Sequence, residues 1–520
     1  MGRYLAGVDA GTSGARCSLF DLSGKLVGSA AREYGAVYPQ PGWVEQDPGE
    51  VVEKTMEACR AALDQCGVRP EEVGSVGFSA QRSVTCPVDE EGVPVRPMIS
   101  WQDARTAAQV RRLGELVDAE EFYRTSGLPL GTTWILTKLL WMRENEPELY
   151  RRTARFVQHQ DLVLRAFGAQ EDYTDIGCMA FYGTWDVGRL DWNYDLMDRL
   201  ELSAERFGRP TLAGTQVATV GPSVAERSGF AVGTPVCVGA GDQNCSVVGM
   251  GAVRAGMGTV TLGTAGLAIL CVERPAKGFG GMMVTNHAVP GRWEIEGLSN
   301  AAASSLRWFR DVVGCRERDG EAAGGPNAYR ALDALAAEVP PGARGLLYLP
   351  YLATAATPHW NPEARAAFVG LSFAHGRGEL TRAVLEGVAL EIREITEQWL
   401  EADMPLEVLR IGGGATRSPL WCQILADVFG RPLERTACDD STGLGSALLG
   451  GVGAGVFSSI EEGVEAMVHP CHVIEPRPAW QGLYDDLYGA FLKAYAGLDR
   501  SGAFSALSGM QREQATTSTE

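Results

Sequence analysis

Apolar residues in the first eighty positions come in short runs that end on glycine. Residues 4–8 and 16–20 read as two strands, and Asp9-Ala-Gly-Thr-Ser-Gly14 joins them as a tight hairpin with Gly11 and Gly14 free to adopt φ > 0. Val52, Met56, Cys59 and Leu63 then recur at helical spacing. That helix carries its own start and stop signals: Asp47 at the N-cap, Pro48 at the first helical position, Gly67 beyond the last turn. A further strand follows at 73–78. Strand, strand, helix, strand predicts an α/β fold rather than an all-helical one.

Later segments repeat the theme. An apolar run at 236–238 breaks at Gly239 and Gly241 and presents Asp242 at its end. Gly258-Thr-Val-Thr-Leu-Gly-Thr-Ala-Gly266 is again strand, glycine turn, strand, which suggests two related lobes with a boundary near 251–256. Val384, Leu385, Val388, Ile392 and Ile395 mark a long helix over 380–400. A strand at 409–411 then runs into Gly412-Gly-Gly414, and 421–429 reads as helix. The chain therefore divides into a lobe over 1–252, a lobe over 253–497 and a polar tail over 498–520 with no periodicity, expected to be frayed. No Pro/Gly/Ser-rich linker separates the lobes, so they should pack closely, with ligands in the cleft between them.

Composition narrows the function. The chain has 520 residues and a formal net charge of -19, with no basic block, which argues against nucleic acid or an anionic membrane as partner. No 18-residue apolar stretch and no signal-peptide core occur, so a cytoplasmic protein is expected. The twelve cysteines contain no Cys-x-x-Cys pair and read as small buried hydrophobes in a reducing compartment. There is no Gly-x-x-x-x-Gly-Lys-Ser/Thr. Gly451-Val-Gly-Ala-Gly455 follows a helical segment rather than a strand, so a nicotinamide-dependent oxidoreductase lacks its fingerprint.

Asp242 is the leading candidate for chemistry. A carboxylate at the carboxyl end of a strand can accept a proton from a substrate hydroxyl, or it can simply cap the following helix. The turn at Asp9, Gly11, Thr12 and Ser13 is either a backbone-amide nest for phosphate with Asp9 near Mg²⁺, or an ordinary hairpin turn. The same choice applies to Gly263 and Thr264. Gly413 and Gly414 after a strand would let a flat ring approach the backbone.

Further segments join these: Pro41-Gly-Trp-Val-Glu-Gln-Asp-Pro48, Ile99-Ser-Trp-Gln-Asp-Ala-Arg105, Lys138-Leu-Leu-Trp141, Thr357-Pro-His-Trp-Asn-Pro-Glu-Ala-Arg365 and Arg382-Ala-Val-Leu-Glu-Gly-Val-Ala389. Together they resemble the FGGY carbohydrate kinases, from about Tyr4 to Leu492. The resemblance implies two actin-like (ribonuclease H-like) ATPase lobes around a central cleft, and ATP-dependent phosphorylation of a sugar or polyol with Mg²⁺. It implies Asp242 as the base, Gly11, Thr12, Ser13, Gly263 and Thr264 around the phosphates, Asp9 for the metal, and Gly413, Gly414 and Ser418 around adenosine. Homo-oligomers are common in such a family, so a homodimer is compatible with it. A non-catalytic actin-like nucleotide switch is the remoter alternative.

Substrate signals are mixed. Gln81, Arg82 and Gln243 resemble glycerol kinases, but Ser83 stands where those enzymes carry an acid that accepts glycerol hydroxyls. Asn300-Ala-Ala-Ala-Ser-Ser-Leu-Arg-Trp308 looks closer to xylulokinases. Trp134 falls near a substrate-contacting position, or is a core aromatic. A ketopentose such as xylulose is the expected acceptor, with glycerol, another polyol or an autoinducer-type sugar as alternatives.

Overall fold

The computed structural model describes residues 2–275 and 281–517. The first glycine turn is a hairpin between strands Tyr4–Ala10 and Gly14–Asp21, whose inward residues Val8, Ala10, Cys17 and Leu19 are buried. The turn closes through the Gly11 amide donating to the Gly14 carbonyl at 3.0 Å. Neither glycine has a positive φ, contrary to expectation. Gly14 is required for space instead: a Cβ there would lie 2.6 Å from the Arg32 carbonyl oxygen on the next strand. Helix Pro48–Cys66 starts where its signals place it, with Asp47 Oδ1 accepting the amides of Gly49 and Glu50 at 2.7 and 3.1 Å, and ends at Gly67 with φ 63°.

The first sheet has six strands in the order Gln216–Thr219, Pro235–Gly241, Val73–Ala80, Tyr4–Ala10, Gly14–Asp21, Leu26–Glu33. Three central strands run parallel, with Ala10 opposite Ala80 and Ala80 opposite Gly241. Their carboxyl ends are therefore flush. The chain leaves them at Gly11, Gln81 and Asp242 along one edge, where ligands of open α/β sheets bind.

The second, seven-stranded sheet is built only from later residues, in the order Met283–Asn286, Trp293–Ser299, Gly266–Val272, Met257–Leu262, Val408–Gly412, Leu433–Thr436, Pro470–Ile474. Its hairpin Met257–Leu262/Gly266–Val272 reproduces the first one, and Thr261 again lies parallel and opposite to the end of the next strand, at Gly412. The long helix Arg377–Glu401 covers this sheet with Val384, Val388, Ile392 and Ile395 fully buried.

Two helices tie the sheets together. Asp242–Gly249 and Ser441–Gly453 touch backbone to backbone: a Cβ on Gly249 would lie 1.8 Å from the Ser441 carbonyl, and one on Gly445 would lie 1.9 Å from the Cys245 carbonyl. The Ser441–Gly453 helix also lies on the first sheet, its Gly443 and Ser446 carbonyls filling the space over Gly7 and Gly77. A late segment of the chain thus packs on the early sheet, which division at a single position does not capture.

The C-terminal segment departs from expectation. Residues Ala503–Thr517 form a helix, with Phe504 and Ser508 buried one turn apart and Arg365 donating to Ser508 Oγ at 2.9 Å and Gln511 Oε1 at 2.8 Å. Leu507 and Met510 on this helix are exposed, and the two buried anchors, Phe504 and Ser508, are too few to register as a periodic pattern. Residues 518–520 lie outside the described residues. All twelve cysteines are unpaired and eight are buried, in keeping with their reading as small apolar side chains. Among the described residues no helix is long and apolar enough to cross a membrane.

Gly445→Ala should lower folding stability by about 1–3 kcal/mol in urea unfolding, because the added methyl has no room at the helix crossing. Gly489→Ala, on helix Gln481–Arg500 with open space around it, should instead raise stability by about 0.5–1 kcal/mol.

Candidate active site

Asp242 is the first residue of its helix, with Gly241 in the N-cap position. Its Oδ1 accepts the Gln243 amide at 2.8 Å and lies 3.4 Å from Arg82 Nε. About a quarter of the side chain is exposed (27%), so one face meets solvent. Burial pushes the Asp242 carboxyl above its ordinary range, against the opposing pull of Arg82. Arg82 leaves the end of the neighbouring strand. Its guanidinium lies 4.9 Å from the centre of the Phe181 ring and makes a two-pronged pair with Glu296, at 2.8 and 2.7 Å. Burial disfavours a charge there, but Glu296 and then Asp242 outweigh it and keep Arg82 cationic.

Asp9 sits on the same edge, one strand further on. Ser79 Oγ donates to its Oδ1 at 3.0 Å. Burial, then the nearby charges of Asp242 and Asp440, push its carboxyl up to about 7. Asp440 caps the Ser441–Gly453 helix and accepts from Ser18 Oγ at 2.5 Å. The Thr12 turn is braced from outside: Trp101 Nε1 donates to Thr12 Oγ1 at 3.1 Å, and Gln46 Nε2 donates to the Thr12 carbonyl at 2.8 Å. Ser13 is exposed at the tip. Trp101 and Gln46 lie in segments legible as motifs, but only the fold brings them to the turn.

Gln81 is buried and donates to Gln46 Oε1 at 2.8 Å, so it supports the Thr12 brace from behind, and its own Oε1 has no protein partner. Gln243 is half-buried beside Asp242. Ser83 adopts φ 62°, a left-handed conformation unusual for serine. Its Oγ donates to the Thr133 carbonyl at 2.8 Å, and its carbonyl accepts from the buried Lys138 Nζ at 2.7 Å. Burial pushes Lys138 down to about 7. Trp134 is only 4% exposed. Its indole N–H donates to the Pro129 carbonyl at 2.5 Å and its ring lies 5.9 Å from that of Phe181, so it backs the wall behind Arg82 instead of presenting an open face.

Gly263 and Thr264 line a cleft of about 710 Å³ in the second half, together with Gly414 and Ser418. Gly413 needs both its φ of 86° and its missing Cβ, which would fall 2.6 Å from the Leu262 carbonyl. Gly414 faces open space. Ser418 Oγ accepts the Trp421 amide at 3.0 Å and so caps helix Pro419–Phe429. Arg307 and Arg417 supply positive charge along the cleft. Arg417 also borders a second groove of about 720 Å³ that reaches Arg16 and Asp440, beside Asp9. Arg417 thus borders both the Gly263–Ser418 cleft and the groove that holds Arg16 and Asp440. Such an arrangement can hold a phosphorylated nucleotide by backbone amides and arginines, with a raised carboxylate at the far end to take a proton.

Sequence and structure comparisons point the same way. Residues 4–249 match the model of the FGGY family of carbohydrate kinases, N-terminal domain, and residues 258–454 match the C-terminal domain of the same family. The chain is 28% identical over 498 residues to a xylulose kinase of Bacillus subtilis, covering 95% of this chain and 97% of that one. It is 31% identical over 471 residues to a glycerol kinase of Gloeobacter violaceus, covering 88% and 90%. The crystal structure of xylulose kinase from Rhodospirillum rubrum superposes with a TM-score of 0.85 at 28% identity, over 96% of this chain and 99% of that one.

One buried clamp holds the Thr12 brace. Arg105 is enclosed, 3.8 Å from the Trp43 ring centre, and pairs with Asp103 at 2.7 Å and Glu45 at 2.8 Å. Arg105→Met should cost about 3–5 kcal/mol of stability in urea unfolding, since it leaves two buried carboxylates without that partner.

Proposed function

We propose that this chain, which belongs to the FGGY family of carbohydrate kinases, phosphorylates a ketopentose such as xylulose with ATP, in the cytoplasm. Members of that family are phosphotransferases with an alcohol group as acceptor. The observation that carries the site assignment is the half-open Asp242 carboxylate, raised by burial and standing beside Arg82 at the flush ends of three parallel strands.

In this reading the sugar lies against Asp242, Gln243 and Arg82. Asp242 accepts the proton of the attacking hydroxyl as its oxygen bonds to the γ-phosphorus and the bond to the β,γ-bridging oxygen breaks, releasing ADP. Little covalent chemistry is asked of the protein, so positioning and charge neutralisation dominate. Gly11, Thr12 and Ser13 from one side and Gly263 and Thr264 from the other would hold the phosphates through amides and hydroxyls. Gly413 and Gly414 would let the adenine approach the backbone, with Ser418 at the cleft wall.

Asp9 would hold Mg²⁺, directly or through water. The residues fit a hard cation: burial first, and then the charges of Asp242 and Asp440, raise Asp9 to about 7, so a cation beside it would relieve that carboxylate. Among the described residues no three such side chains close into a metal cage, which suits an ion that keeps waters and phosphate oxygens. Bound there, Mg²⁺ would neutralise charge on the triphosphate.

Ser83 supports a ketopentose over glycerol. Its hydroxyl and carbonyl are engaged by Thr133 and Lys138, so no acidic acceptor stands next to Arg82 on that loop. Arg82 and Gln243, and the similarity to glycerol kinases, keep glycerol as the second reading. A coupled ADP-release assay over D-xylulose, L-ribulose, L-fuculose, glycerol, erythritol and an autoinducer-type sugar tests this, with D-xylulose expected to give the highest kcat/KM and glycerol overturning the assignment if it does. Asp242→Asn should lower kcat by about 10²–10⁴-fold, about 3–5 kcal/mol, while ATP binding is retained. Chelation by EDTA should abolish turnover and added Mg²⁺ should restore it.

A further inference from the structure

Arg82 stands between two carboxylates and divides itself unequally. To Glu296 it makes two strong, charge-assisted bonds at 2.8 and 2.7 Å, while its Nε stays 3.4 Å from Asp242 Oδ1, longer than an ordinary hydrogen bond. Glu296 belongs to strand Trp293–Ser299 of the second sheet and its side chain is only 1% exposed. It therefore reaches the first-sheet edge without touching the cleft. Two residues earlier on the same face of that strand, Glu294 Oε2 accepts from Asn244 Nδ2 at 2.9 Å, within the first turn of the Asp242 helix. One strand of the second sheet thus anchors both the residue that faces Asp242 and the helix that carries it.

We propose that Glu296 is a positioning residue for phosphoryl transfer: by taking both prongs of Arg82 it keeps that cation from closing a full ion pair with Asp242, and leaves an Asp242 oxygen open to accept the sugar hydroxyl proton. The proposal rests on Asp242 as proton acceptor, but not on which sugar is used. Without the Glu296 charge, Arg82 swings onto Asp242, which is then both less basic and blocked.

The test is a double-mutant cycle on the intact enzyme, with whichever sugar the wild type accepts best. Glu296→Gln should lower kcat about 10–50-fold with KM for ATP within about twofold of wild type, whereas in an Arg82→Met background the same change should alter kcat less than about threefold. Unchanged kcat in Glu296→Gln, or equal losses in both backgrounds, overturns the proposal. If Glu296→Gln does not fold, Glu296→Asp keeps the charge but withdraws it by one methylene. A kcat loss of about 3–10-fold that disappears in the Arg82→Met background supports the proposal, and an equal effect in both overturns it. Asp242→Asn is measured alongside. Full turnover in that variant removes Asp242 as the base whatever Glu296 does, while an inactive Asp242→Asn with normal Glu296→Gln sinks the Glu296 proposal alone.

Discussion

Backbone-to-backbone contact between two short helices is the constraint on which the site depends. Helix Asp242–Gly249 begins with Asp242, helix Ser441–Gly453 is capped by Asp440, and the two meet where neither Gly249 nor Gly445 has room for a side chain. The second helix is pressed equally close to the first sheet, over Gly7 and Gly77. Gly7 lies two residues before Asp9. Three carboxylates from three distant parts of the chain therefore take their positions from a single stack of glycine contacts. Ser246 Oγ and Ser441 Oγ, 2.8 Å apart, add a hydrogen bond at the same crossing. Because close-packed backbone is bistable rather than continuously deformable, motion of one sheet against the other would be passed to these helices as a whole.

Electrostatics at the edge follows from that packing. Burial raises Asp9 and Asp242 alike, and mutual repulsion adds to it at Asp9, so the edge stores an unfavourable concentration of negative charge. Arg82 relieves part of it, but Glu296 claims most of Arg82, and Glu294 behind it is itself pushed up to about 8 by burial. A site of this kind gains by receiving positive charge and is repelled by bare phosphate. Arg16, opposite Asp9 on the neighbouring strand, also opposes the rise at Asp9, and further arginines, at 307, 330 and 417, line the cleft that holds Gly263 and Gly414. In the proposed function, this distribution suits a nucleotide whose phosphates approach the carboxylates together with Mg²⁺ while its nucleoside stays among glycines and arginines.

Much of this was legible in the sequence because it is local. The hairpins around Gly11 and Gly263, the helix opening at Asp47 and the strand delivering Asp242 all follow from residue order, and the repeated hairpin foretold two similar sheets. What was not legible is set at long range. Gly451-Val-Gly-Ala-Gly455 reads as a broken nucleotide fingerprint, yet the helix it closes uses its glycines to touch the first sheet. Trp101 and Gln46 reveal their hold on Thr12 only when 101, 46 and 12 are brought together. Glu296 carries no signal in its own neighbourhood, since it acts through a partner 214 positions away. Residue type suggests a left-handed role for Gly11 and Gly14, but neither has a positive φ, and only at Gly14 does the turn depend on the missing side chain. The helix Ala503–Thr517 escaped because two anchors, Phe504 and Ser508, suffice to dock it.

If the sugar lies against Arg82, as proposed, its selection is decided behind the surface that it meets. Arg82 is stacked on Phe181, Phe181 is backed by Trp134, and Trp134 opens helix Ile135–Asn145, which carries Lys138. Lys138 in turn holds the Ser83 carbonyl, keeping that serine in a left-handed conformation that costs roughly 1–3 kcal/mol when unsupported. The loop 81–83 is thus locked from below by a buried ammonium and from the side by an aromatic pair. A glycerol-type acid at 83 would have to occupy this same strained position, where the hydroxyl already bonds to the Thr133 carbonyl. Substituting at 83 alone would place a carboxylate against a carbonyl oxygen, so a change of acceptor requires the helix at 135–145 and its flanking loop to change with it.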